Sequence, residues 1–192
     1  MFQARLLCLS LVLLTSHLAQ ATDASGKTED PRKAAKKYVQ ALRKKDYPGM
    51  AKLMHPEALA EFRSITLPLA EAADKKGKAD SILDLFPGAK SLDDLKRMNP
   101  EEFFASFLQG TLKFLPETRQ VLTNSKTEFL GHVAEGKDVA HVVYRMTAKV
   151  RTVSFTKMYV ISLKKHKTEW RLILSGDIKG MAEALKLRLE LN

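Results

Sequence analysis

Cysteine is nearly absent from this chain: one residue in 192, Cys8. It falls inside a segment that reads as a leader, so the processed chain is expected to have neither disulfides nor thiolate chemistry. No G-x-S-x-G elbow, phosphate-cradling glycine loop or dinucleotide fingerprint occurs, and no H-E-x-x-H or clustered metal-ligand spacing. The five histidines are scattered, whereas a metal site needs several convergent ligands. Neither a cofactor nor a metal is therefore expected. No apolar run approaches the roughly 20 residues needed to span a bilayer.

The leader is residues 1–21. Arg5 supplies a short positive start, Leu6 to Leu14 an apolar core and Ala19-Gln20-Ala21 a small-residue cleavage site. The expected product is exported, periplasmic or secreted. Residues 22–29 read as a flexible polar leader, and residues 30–192 as one domain of ordinary size. The chain is basic, with a formal net charge of +10. In an exported protein that favours weak contact with an anionic envelope surface over nucleic acid, against the plainer role of lysines in solubility.

Lys126 to Asp177 reads as a four-stranded antiparallel meander, because apolar side chains alternate there with period two. Ala140, Val142, Tyr144, Met146, Ala148 and Val150 share one face of the second strand, opposite His141, Val143, Arg145, Thr147, Lys149 and Arg151. Phe155, Tyr159, Ile161 and Leu163 follow on the third strand, and Trp170, Leu172 and Leu174 on a fourth spanning Thr168–Asp177. Turns are expected at Glu135–Asp138 and Lys164–Lys167, and Gly131 marks a candidate bulge. One face buried and one wet requires helices on a single side.

Those helices precede the sheet. Asp30-Pro31 starts one that runs to about Lys45, its polar face carrying Arg32, Lys33, Lys36, Lys37, Arg43 and Lys44. A short helix through Met50, Leu53 and Met54 ends at His55-Pro56. A longer one carries Leu59, Phe62, Ile65 and Leu69, with a kink expected at Pro68. Asp74–Asp80 reads as a charged loop and Phe86-Pro87-Gly88 as a turn. Ser91 caps a short helix, and Asn99-Pro100-Glu101-Glu102 opens one bearing Phe103, Phe104, Phe107, Leu108, Leu112 and Leu115, ended by Pro116 and expected to pack on the sheet. Asp177 caps a closing helix over Ile178–Leu191. The fold class is α+β: N-terminal helices on one face of a curved four-stranded antiparallel sheet, plus a C-terminal helix.

Ala34 to Asp46 followed by Leu53-Met54-His55-Pro56-Glu57-Ala58 resembles the opening of NTF2-like (SnoaL-like, cystatin-like cone) domains, and Glu169-Trp170-Arg171-Leu172 resembles their last strands. The resemblance implies a cone whose mouth holds a small apolar molecule. The family includes isomerases, dehydratases, carriers and inactive members, so fold alone does not select among them. The helical region from Pro56 to Pro116 and the closing helix depart from that pattern and resemble periplasmic phospholipid carriers of the toluene-tolerance type. An isomerase or dehydratase needs a carboxylate or histidine in an apolar pocket, and no His or Asp falls on the apolar strand face. A non-catalytic binding module is the leading expectation, with an apolar-molecule carrier as the alternative. Its candidate ligand-lining residues are Phe104, Phe107, Tyr144, Met146 and Trp170. His55 and His141 read as boundary and solvated residues. The oligomeric state is left open.

Overall fold

The computed structural model describes residues 29–150 and 152–174, with Gly176, Gly180 and Leu187 singly beyond them. The leader (residues 1–21), most of the polar stretch after it, the Asp177 cap and the closing helix expected over Ile178–Leu191 lie outside the described residues.

Seven helices come first: α1 (Pro31–Lys44), α2 (Tyr47–Lys52), α3 (Pro56–Lys75), α4 (Ala79–Leu83), α5 (Leu92–Arg97), α6 (Pro100–Phe114) and α7 (Pro116–Asn124). Four strands follow: β1 (Lys126–Glu135), β2 (Val139–Val150), β3 (Val153–His166) and β4 (Glu169–Leu172). They pair antiparallel in sequence order, so the class is α+β with the expected meander.

Local chemistry sets the helix starts. Asp30, Asp46, His55, Ser91 and Asn99 each accept a backbone N–H of the first turn they cap. Proline occupies one of the first two positions of α1, α2, α3, α6 and α7, where its missing N–H costs nothing. Asn99 and Glu102 complete a reciprocal capping box.

Several boundaries differ from expectation. α3 runs unbroken through Pro68, which is exposed. The charged loop shrinks to residues 76–78, because Asp74 and Lys75 finish α3 and Ala79 begins α4. Pro116 does not merely end α6. It sits at the start of α7, where a proline is pre-set for a first turn. Met54 is no longer helical and forms a parallel bridge to Leu172, held by His55 N–H donating to the Leu172 carbonyl (2.7 Å) and Leu172 N–H to that of Leu53 (2.9 Å). β4 stops at Leu172, short of Asp177, and the turn before it falls after His166, with Lys167 in the left-handed region.

The sheet has the anticipated two-sided character. Ala140, Val142, Met146 and Ala148 are buried, while Arg145 and Lys149 opposite them are exposed. β1 and β2 change register between Phe129 and Gly131, the bulge anticipated beside Gly131. α1 and α7 are the helices that lie against the strands.

α6 does not pack on the sheet as expected; it lies chiefly against α2 and α3. Its phenylalanines meet Phe62 of α3 edge to face, with centroids 5.9 Å (Phe103), 5.1 Å (Phe104) and 5.0 Å (Phe107) away. Phe86 closes the cluster at 4.7 Å from Phe103 and 5.5 Å from Phe107. Such pairs add about 0.5–1.5 kcal/mol each beyond area burial. Gly110 permits the tight approach, since a Cβ there would overlap the Leu85 carbonyl.

Candidate functional site

The face of the sheet turned toward the helices carries a row of three aromatic rings, one from each of the first three strands. Register places Phe129 opposite Tyr144, and Tyr144 opposite Tyr159. Their centroids are 5.6 and 5.5 Å apart, with the two tyrosine rings nearly parallel at 18°. All three are half-buried. Cations stand over both ends: Lys36 of α1 lies 5.7 Å from the Phe129 centroid and Lys157 5.0 Å from that of Tyr159, within cation–π range.

Tyr38 of α1 approaches the same row. Burial, and next the Tyr144 phenol beside it, push the Tyr38 hydroxyl pKa well up. Burial also lifts Tyr144 to about 12, with Tyr159 adding to the shift. Both phenols therefore stay protonated at neutral pH and can donate a hydrogen bond without carrying charge.

The five anticipated ligand-lining residues are not gathered around one space. Phe104, Phe107 and Trp170 belong to a single buried cluster, with Leu163, Leu172 and Phe62 among its members. Tyr144 stands in the aromatic row, and Met146 follows it two residues along β2, buried outside that cluster. Lys165 lies over Trp170 at 5.3 Å. Residues of the row that sequence reasoning left out of the site are Phe129, Tyr159, Tyr38, Lys36 and Lys157. The strand alternation placed Tyr159 on the correct face, which was the available signal. The pairing of Phe129 with Tyr144 depends on the bulge.

A groove of ≈ 490 Å³ opens elsewhere, between α2 and the first turns of α6. Ala51, Ala105 and Ser106 line it with Lys52, Glu101 and Gln109, and none of the five anticipated residues does.

Two histidines make more contacts than their positions announced. His141 Nδ1 lies 2.9 Å from Ser162 Oγ, and its Nε2 lies 2.7 Å from Glu135 Oε2. Serine, imidazole and carboxylate thus form one chain, yet it sits on the face of the sheet away from the helices. There the Ser162 carbonyl accepts from Ile173 N–H and Glu135 is exposed. This is a cross-strand clasp that ties β1, β2 and β3. His55, buried, accepts the Glu57 N–H at Nδ1 (3.2 Å) and so caps α3.

Among the described residues no group of three or more His, Cys, Asp or Glu could hold a metal ion, and no helix is long and apolar enough to cross a membrane.

No family model matches the chain, and no curated protein matches it. Among solved structures it is similar to an NTF-2 like protein of unknown function from Shewanella oneidensis MR-1, at 13% identity and a TM-score of 0.38. The match covers 73% of this chain and 89% of that one. A likeness of that size says nothing about what the chain binds.

Proposed function

We propose that this chain is an exported, non-catalytic binding module on an NTF2-like scaffold, taking a small apolar molecule with an anionic end. The observation that carries the reading is the half-buried row Phe129–Tyr144–Tyr159 with an ammonium over each end. Ring edges offer apolar contact, the phenols offer neutral donors, and Lys36 and Lys157 favour a carboxylate or phosphate at the rim. Met146 continues the same face, while Phe104, Phe107 and Trp170 stand apart from it in the buried cluster.

An apolar-molecule carrier is the second reading. Beyond Tyr159 the same face of β3 continues through Phe155 and Val153, which are 38% and 64% exposed. Lys157 stands between Tyr159 and Phe155 on that face, so the run is an extended apolar track with one cation beside it, which suits a chain-like ligand more than a compact one.

The test is native mass spectrometry of the protein recovered from its host, beside Tyr144→Ala and a Lys36→Gln/Lys157→Gln double variant. A retained molecule lost from Tyr144→Ala, with its anionic end identified after extraction, supports the module. An acyl-chain mass favours the carrier. Wild-type protein that carries nothing, and takes up no fatty acid offered to it, overturns both.

A further inference from the structure

At the corner where α6 meets α7, two large apolar side chains stand adjacent in solvent. Phe114 is 53% exposed and Leu115 is 47% exposed. Single exposed apolar residues are ordinary; this pair is distinguished by its surroundings. Lys113 precedes it and is exposed. Behind it lies a polar recess of ≈ 330 Å³ lined by Lys45, Pro116, Glu117, Arg119, Gln120 and Thr123. Lys45 is the left-handed cap that ends α1, next to exposed Lys44, and α1 runs beside α7. Four cations (Lys44, Lys45, Lys113 and Arg119) thus stand at or beside this corner against two carboxylates, Glu117 in the recess and Asp46 next to Lys45, which accepts Gly49 N–H. None of the four cations forms an ion pair among the described residues.

We propose that this corner is a docking surface for an anionic phospholipid bilayer. Phe114 and Leu115 enter the boundary between headgroups and acyl chains, while the lysines and Arg119 hold headgroup phosphates, with the recess between Lys45 and Arg119 admitting one of them. An apolar tip supplies burial that the cations alone would lack, and the cations supply selectivity for anionic lipid that the tip alone would lack. The cationic ring disfavours a cationic partner, and the exposed phenylalanine is unneeded for solubility. The surface is independent of the aromatic row, so its failure leaves the ligand reading standing.

The experiment is co-sedimentation of the purified protein with vesicles of phosphatidylcholine alone and of equal parts phosphatidylcholine and phosphatidylglycerol, at low and physiological salt. Variants are Phe114→Ser/Leu115→Ser, Lys45→Gln/Arg119→Gln and a charge-matched control, Lys75→Gln/Lys137→Gln. Wild type is expected to prefer anionic vesicles. The corner charge variant should lose about fivefold for each charge removed, the apolar variant about tenfold or more, and the control far less. Fluorescence of Trp170 checks that each variant is folded. A second measurement avoids the apolar variant altogether: an environment-sensitive dye on Leu115→Cys, in a Cys8→Ser background, should shift to the blue on anionic vesicles. Equal binding to both vesicle types, a control that loses as much as the corner, or a dye that does not shift overturns the proposal.

Discussion

His55 and His166 meet edge to face, their ring centroids 5.3 Å apart and their planes at 86°. His55 is buried at the start of α3 and His166 ends β3, so the contact joins the helical layer to the β3–β4 hairpin. Around it lie Glu57 and Lys164, ion-paired at 2.7 Å. An imidazole that accepts Glu57 N–H at Nδ1 is neutral, its proton held on the other ring nitrogen. Burial depresses its pKa below 6.5, and the neighbouring cations deepen the shift against the opposing pull of Glu57.

That arrangement predicts a pH-dependent stability. The unfolded chain binds a proton at His55 more readily than the folded one, so stability rises with pH across this window. It is fully present above pH 6.5 and is lost as pH falls through the depressed folded value. Denaturant melts from pH 7.5 down to 5 should show this slope, and His55→Asn, which can cap without titrating, should flatten it. His55→Ala should cost about 1–2 kcal/mol from the lost cap alone. A slope unchanged in His55→Asn would assign the effect to another group.

Gly110 gives a prediction whose sign packing decides. In a helix interior, Gly→Ala ordinarily stabilises by about 0.5–1 kcal/mol. Here the new methyl would collide with Leu85 backbone, which cannot swing aside as a side chain would. Gly110→Ala should destabilise by about 1–3 kcal/mol. At Gly131 a Cβ would meet nothing within 4 Å, so alanine should be tolerated there within about 0.5 kcal/mol. Urea midpoints for the two variants separate the cases.

Aromatic truncations should divide by layer. Phe104→Ala removes a fully buried ring from the cluster with Phe62, and about 3–5 kcal/mol is expected. Tyr144→Ala removes a half-buried ring with Tyr159 stacked on one side and Phe129 tilted against the other, so the loss should be clearly smaller. Thermal melts test the order, and equal losses would mean the row is as much core as the phenylalanine cluster.

Export is open to direct observation. Protein recovered from the envelope fraction should begin at Thr22, after Ala19-Gln20-Ala21. N-terminal sequencing that finds Met1 on a cytoplasmic product would remove the compartment argument.

What sequence reasoning could reach follows the range of each interaction. The meander was legible because alternation is local: each of Ala140, Val142, Met146 and Ala148 reports its own side. Caps at Asp30, Ser91 and Asn99 were legible for the same reason, whereas His55 read only as a boundary before Pro56 and its capping of α3 did not show. Layering was not. Phe103, Phe104 and Phe107 announce a broad apolar face, but nothing in their spacing says whether Phe62 and Phe86 or a strand will meet it. α7 escaped because Pro116 satisfies a stop and a start equally well. The aromatic row escaped because it joins residues 15 apart twice over, Phe129 to Tyr144 to Tyr159, through one bulge and two turns.

The bulge at Leu130 has a consequence for insertions and deletions. Pairing with β2 places Thr127 and Phe129 toward the helices before it, and His132 and Ala134 toward them after it. The two halves of β1 therefore obey opposite parities, and one extra residue reconciles them. Deleting Leu130 would join Phe129 to Gly131 in plain alternation, so that Phe129 stays opposite Tyr144 and Thr127 opposite Met146, Arg43 keeps its Thr127 acceptor, and only the bulge and the local twist it adds are lost. At this one position the strand can shed a residue without turning either half over.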